Sequence, residues 1–163
     1  MQSLINKYGK WALITGASSG IGAEFALQLA ALNFNLVLVA RRKEKLEQLS
    51  AELIAKFNIE TLVISLDLSK PDFLETIQQQ TNHLDIGLLI NNAGFAITGS
   101  FLNDQLENQL SLLDVNCKAP LILSHYFGNR MLSSGSGCII NIASTAAFLP
   151  LPFWSNYAAS IAY

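Results

Sequence analysis

Short unbroken apolar runs alternate along this chain with longer stretches in which apolar residues recur every three or four positions. The runs are Trp11 to Ile14, Leu36 to Ala40, Thr61 to Leu66, Ile86 to Ile90 and Cys138 to Ala143. Such runs mark parallel strands covered on both faces. The helical patterns between them cover Ala23 to Leu32, then a stripe of Leu46, Leu49, Leu53 and Phe57, with Glu52 and Lys56 as a supporting i,i+4 pair. A third helix is predicted to end near Thr81, capped by Ser69 with Pro71 in its first turn. A long helical region covers Asp104 to Leu132 and should bend near Pro120. Ser133 to Gly137 and the segment marked by Pro150 and Pro152 read as loops, and a last helix begins near Ser155. No repeat, linker or low-complexity segment interrupts the pattern.

Strands alternating with helices imply right-handed crossovers and a parallel sheet. The fold class is therefore α/β, a doubly wound parallel sheet of the Rossmann type, in a single domain over 1–163. A complete fold of this kind has six strands, with its ligand at their carboxyl ends. The pattern shows five, so the sheet reads as incomplete at its C-terminal side. The fifth strand should then carry an exposed apolar edge prone to association.

Composition narrows the function. With 51% hydrophobic and 13% charged residues among 163, the chain has enough apolar surface for a real core. A net charge of −2 and no basic cluster beyond Arg41 to Lys45 argue against nucleic acid as a partner. No apolar run approaches the ~20 residues that span a bilayer, and no leader segment is visible. Cys117 and Cys138 lack metal-ligand spacing and read as buried small residues in a reducing compartment, hence a cytoplasmic protein. His83 and His125 have no partner pattern and read as surface or boundary residues.

The chemistry gathers at strand ends. Thr15 to Gly22 reads Thr-Gly-Ala-Ser-Ser-Gly-Ile-Gly between a strand and a helix. Glycines let a phosphate approach backbone, and the helix start offers unpaired N–H groups to an anion. Gly16, Ser18, Ser19, Gly20, Ile21 and Gly22 are the candidate contacts, although three glycines also suit a plain tight turn. Arg41 and Arg42 follow the second strand, where an acid would meet a ribose 2′-hydroxyl. Guanidinium groups suit a 2′-phosphate instead, which favours NADP(H) over NAD(H); a solvated basic helix start is the plainer alternative. Asp67, with Leu68 beside it, stands where an adenine amino group would lie, or else merely begins a turn. Asn91, Ala93 and Gly94 close the fourth strand and leave room for a cofactor, or form an ordinary Asn/Gly turn. Ser144 follows the fifth strand and Tyr157 opens the last helix. A serine hydroxyl can donate to a carbonyl oxygen, and a tyrosine can deliver a proton to it. Asn116 is unfavourable in mid-helix unless it has a task.

Together these residues resemble the short-chain dehydrogenase/reductase family, from Trp11 to Tyr163. Thr15 to Gly22 is similar to its TGxxxGxG, and Asn91-Asn92-Ala93-Gly94 to its NNAG. Asn116, Ser144 and Tyr157 match its catalytic Asn, Ser and Tyr by order and context. The resemblance implies NAD(P)-dependent interconversion of an alcohol and a carbonyl substrate. Serine would orient the carbonyl, tyrosine would pass the proton, and asparagine would hold a relay water. It also implies a homo-oligomer assembled through the long helical region and the last helix. Two departures accompany it. The family's YxxxK reads Tyr157-Ala158-Ala159-Ser160-Ile161, so an isoleucine stands where the family has a lysine that assists the tyrosine and holds the nicotinamide ribose. Lys118, two positions from Asn116, points off its face and offers no replacement. The region that would cover the nicotinamide is also not in the pattern. Impaired turnover is therefore expected. A non-catalytic nucleotide-binding module and a truncated product without activity stay open as alternatives. The apolar stretch Ala146 to Trp154 suits either a substrate wall or core.

Overall fold

The computed structural model describes residues 4–149 and 151–163. Pro150, placed in a loop above, lies outside the described residues. Five parallel strands form one sheet in the order β3-β2-β1-β4-β5. They are β1 (Trp11–Thr15), β2 (Asn35–Ala40), β3 (Thr61–Ser65), β4 (Ile86–Asn91) and β5 (Cys138–Asn141). The helices are α1 (Leu4–Tyr8), α2 (Gly20–Ala31), α3 (Lys43–Phe57), α4 (Phe73–Thr81), α5 (Leu106–Leu113), α6 (Ala119–Ser134) and α7 (Ser155–Ala162). Helix α1 carries no buried residue, and no apolar pattern announced it.

Alternate residues of each central strand enter opposite cores. Leu13, Val37, Val39 and Leu89 face Phe73 and Ile77 of α4 and Leu123, Phe127 and Met131 of α6. Ala12, Ile14, Leu36, Leu38 and Ile90 face Ala26, Leu29 and Ala30 of α2 and Leu46 and Leu53 of α3. The doubly wound architecture follows, because each face of the sheet needs its own helical cover. The strand order reverses between β1 and β4, and the crevice at their carboxyl ends receives the predicted site residues.

Five local expectations are corrected. Ser69 does not cap α4: its N–H and hydroxyl both donate to Asp67 Oδ1, at 3.0 and 2.9 Å, so the residue is consumed by a turn. The cap position falls to Asp72, and Pro71 precedes the helix instead of entering it. Glu52 accepts from Gln48 Nε2 at 3.0 Å in place of pairing with Lys56, whose ammonium lies over the Phe57 ring. The fifth strand ends at Asn141, two residues earlier than predicted. Cys117 and Cys138 are free thiols but only half-buried.

The long helical region is two helices joined by a π turn over Asp114–Lys118. Pro120 has no N–H, so the Asn116 carbonyl four residues earlier loses its usual helical donor. The wider turn absorbs the defect through an Ala119 N–H to Asp114 carbonyl bond, just before the predicted bend.

Candidate functional site

The glycine loop presses against the end of β4. Gly16 has φ +68°, and a Cβ there would lie 2.8 Å from Asn92 Nδ2 and 2.9 Å from the Ala93 Cα. A Cβ on Gly22 would run into the Gly16 carbonyl and Asn92 Nδ2. The two loops are also bonded together. Thr15 Oγ1 accepts the N–H groups of Asn92 and Ala93, each at 3.0 Å, and donates to the Ile90 carbonyl at 3.3 Å. Asn92 Nδ2 donates to the carbonyls of Thr15 at 3.0 Å and Gly16 at 3.3 Å. Thr15 and Asn92 were not among the predicted contacts, although both stand inside the quoted motifs. They shape the loops that the predicted residues line. At the start of α2 no side chain caps the free N–H groups, which stay open to an anion.

Beyond this loop lies a basic corner. Arg42 donates from Nε and Nη2 to Ser18 Oγ at 3.1 and 2.8 Å, and from Nη2 to Ser19 Oγ at 2.5 Å. The second strand's end and the glycine loop thus meet through a guanidinium and two hydroxyls, all on residues singled out by sequence. Gly16, Ser18, Ser19, Ile21, Arg41, Arg42, Asp67, Leu68, Ala93 and Gly94 line one crevice of about 310 Å³. Gly20 has φ +57°, and a Cβ there would meet open space. At Asp67, burial pushes the carboxyl up, but the N–H and hydroxyl of Ser69 and the charges of Arg41 and Lys70 outweigh it. The net shift is downward, so Asp67 is a carboxylate with Oδ1 held in the turn and Oδ2 left to meet a ligand. A depressed carboxyl stabilises the fold above the unfolded value of about 3.9 and loses that contribution as pH falls through the folded value. The denaturation midpoint of Asp67→Asn should therefore trail the unmodified chain near neutrality and approach it as pH falls below the usual carboxylate range. A difference that persists undiminished in acid would contradict this.

The crevice continues past Ala93 and Gly94 into a cleft of about 560 Å³ that brings together Asn91, Asn116, Ser144, Tyr157 and Ile161. Ser144 Oγ accepts the Ala146 N–H at 3.2 Å, which leaves the hydroxyl proton free for an acceptor in the cleft. Asn116 is held on both sides: Oδ1 accepts from Phe95 N–H at 3.1 Å, and Nδ2 donates to the Phe95 carbonyl and Ser160 Oγ, each at 3.0 Å. Asn91 spends Nδ2 on Ser124 Oγ and Asn141 Oδ1, at 3.0 and 2.9 Å. Its Oδ1 is buried without a partner among the described residues, an acceptor that a bound donor or a water would satisfy. Ile161 sits one turn beyond Tyr157 on the cleft wall and puts an apolar group there. Lys118 is turned away and paired with Asp114 at 3.1 Å. Phe148 and Phe153, at 85% and 66% exposure, stand on the surface of the segment after Ser144, whereas Ala146 in the same segment is buried.

Comparison with known proteins agrees with this geometry. The profile of the short chain dehydrogenase family matches residues 10–162. A very-long-chain 3-oxoacyl-CoA reductase from Pyrenophora tritici-repentis is 36% identical over 161 residues, covering 95% of this chain and 47% of that protein. A solved 7beta-hydroxysteroid dehydrogenase superposes with a TM-score of 0.95 at 32% identity, over 99% of this chain and 62% of that one. A short-chain dehydrogenase from Sphingobium yanoikuyae in complex with NADPH gives 0.88 at 38% identity, over 93% and 60%. The chain thus spans about half the length of that reductase. No helix among the described residues is long and apolar enough to cross a membrane.

Proposed function

The chain belongs to the short-chain dehydrogenase family, and we propose that it binds NADP(H) and serves hydride transfer between the nicotinamide and a bulky, apolar carbonyl or alcohol. The observation that carries this reading is one continuous groove. It has a guanidinium and two serine hydroxyls at one end and Asn116, Ser144 and Tyr157 at the other. The crevice suits a dinucleotide: glycine hydrogens face backbone where side chains would fill the space, and an uncapped helix start faces the phosphate path. When bound, NADPH supplies the hydride.

The chain's own residues do the rest. Arg41, Arg42, Ser18 and Ser19 would hold the 2′-phosphate, and Asp67 Oδ2 the adenine amino group. The start of α2 would hold the pyrophosphate. Ser144 donates its hydroxyl proton to the substrate carbonyl oxygen, and Tyr157 delivers a proton to that oxygen as it gains charge. Asn116 fixes the floor between Phe95 and α7. The exposed Phe148 and Phe153, in the segment that follows Ser144 in the chain, support an apolar substrate. The reductase and dehydrogenase similar to this chain carry acyl and steroid names. Leu106, Leu110 and Leu121 are exposed on α5 and α6, which supports a homo-oligomer built on that face. The two free thiols support a reducing, cytoplasmic setting.

One observation favours a second reading, a nucleotide-binding protein with little turnover: Ile161 lies in the cleft where a cation would assist Tyr157.

The cofactor test is a fluorescence titration with NADPH and NADH. Charge-assisted hydrogen bonds contribute ~1.5–3 kcal/mol each, so Arg42→Ala should weaken NADPH about tenfold or more and leave NADH nearly unchanged. Equal affinities in the unmodified chain would overturn the 2′-phosphate assignment.

A further inference from the structure

We infer that Gln109 and Asn156 are positioning residues for Tyr157, as two members of a polar relay that starts at Asp104. Tyr157 lies on α7, a helix of eight residues at the surface. The hydrogen bonds that α7 makes to the rest of the chain fix where the phenol points. Residues 156 and 160 are one turn apart and share a face, while 157 and 161 share the neighbouring face about 100° round. The structure uses that geometry: Asn156 and Ser160 bond to the α5–α6 region, while Tyr157 and Ile161 line the cleft.

At Ser160 the mount is Asn116, already described, together with a Cys117 Sγ–H to Ser160 carbonyl bond at 3.4 Å. At Asn156 it is Gln109, a polar residue only 7% exposed. Asn156 Nδ2 donates to Gln109 Oε1 at 2.8 Å and to the Gln109 carbonyl at 3.2 Å. Gln109 Nε2 donates to Asp104 Oδ2 at 2.6 Å. Asp104 Oδ1 accepts from Asn108 Nδ2 at 2.9 Å. The Asn108 bond holds the Asp104 carboxyl below its usual range; desolvation opposes it, and the bonds from Gln109 and the Gln105 backbone add to it. The charge fixes the direction of every link. A carboxylate only accepts, so Gln109 must turn Nε2 toward it and Oε1 away, and Asn156 must then present Nδ2. With both ends of its first turns pinned, α7 holds Tyr157 in the cleft, and Trp154 closes on the phenol ring edge-on at 5.2 Å between centroids.

The role given to the two residues rests on Tyr157 being the proton donor, and the experiment separates that reading from the relay. Trp154 reports on the ring contact once Trp11, the other tryptophan, is replaced by phenylalanine. In that background Asn156→Ala and Gln109→Glu should each raise acrylamide quenching of Trp154 roughly twofold, as α7 opens locally. Gln109→Glu sets two carboxylates against each other. Adding Asp104→Asn restores complementarity, because the new amide donates to the new carboxylate, whose other oxygen still accepts from Asn156. That double variant should return quenching to the starting value, a coupling that independent sites do not show. NADPH affinity should be the same in all of them, since no relay residue lines the nucleotide crevice. Where turnover is measurable, kcat should fall about tenfold or more with the KM for NADPH unchanged. Unaltered quenching in Asn156→Ala, or a double variant no better than Gln109→Glu, would overturn the relay. Failure of the unmodified chain to bind NADPH would overturn the proposed function instead and leave the tryptophan measurement valid. If Gln109→Glu does not fold, Asn156→Ala decides alone, since it empties a half-buried position without adding charge.

Discussion

Exchanging Ile161 for lysine is expected to raise NADPH-dependent carbonyl reduction by about 10²-fold, within the ~10²–10⁴ that a well-matched general acid contributes. Residue 161 shares a face of α7 with Tyr157, and both line the catalytic cleft. An isoleucine there neither attracts negative charge nor donates a hydrogen bond. An ammonium at that position favours the charged form of a neighbouring phenol and eases passage of its proton. The same ammonium can bond a ribose hydroxyl and hold the hydride donor in register, where small misplacements cost large factors in rate. The assay is NADPH oxidation with a bulky apolar ketone. Adding Tyr157→Phe to Ile161→Lys should remove the gain. No increase on Ile161→Lys would sink the argument that the cleft lacks a cation, and a gain that survives Tyr157→Phe would sink the role of the tyrosine.

The three central strands were legible because they are buried on both faces. Leu36 to Ala40 and Ile86 to Ile90 carry no polar side chain, and runs this short suit a covered parallel strand better than a helix. The site was legible for a related reason. In this topology, residues at strand ends share one crevice, so Gly16, Arg42, Asp67, Asn91 and Ser144 converge however far apart they lie in the chain. What stayed hidden depends on competition between side chains. Ser69 is a good cap residue, but Asp67 two positions earlier captures both of its donors first. The π turn needs Pro120 to empty the Asn116 carbonyl, a consequence that periodicity alone does not express. The relay from Asp104 through Gln109 to Asn156 depends on a link between Gln109 and Asn156, 47 positions apart, with no local pattern to announce it. Gln109 could have drawn notice as a polar residue on the buried stripe of α5, next to Leu112.

Gly22→Ala should cost stability and nucleotide binding together, and more than Gly20→Ala. The two glycines are two positions apart at the start of α2 but face different surroundings. At Gly20 the only obstacle is φ +57°, since a Cβ would meet open space. A left-handed backbone costs a non-glycine residue ~1–2 kcal/mol. At Gly22 the backbone is ordinary helix, and alanine would even gain ~1 kcal/mol of propensity. The obstacle there is contact: a Cβ would strike the Gly16 carbonyl and Asn92 Nδ2. Neither can simply retreat, because Asn92 Nδ2 is bonded to the carbonyls of Thr15 and Gly16. Overpacking costs ~1–3 kcal/mol. A half-buried amide pulled from its acceptors adds ~1–3 kcal/mol. The net loss is about 1–5 kcal/mol after the propensity gain, or roughly 2–20 °C in Tm for a domain of this size. Asn92 and Gly16 also shape the crevice, so NADPH affinity should drop about tenfold or more in Gly22→Ala and much less in Gly20→Ala. Calorimetry and nucleotide titration on the two variants provide the test. Equal losses would mean that the glycines serve only to make a tight turn, and the close approach of the two loops would then carry no weight in forming the site.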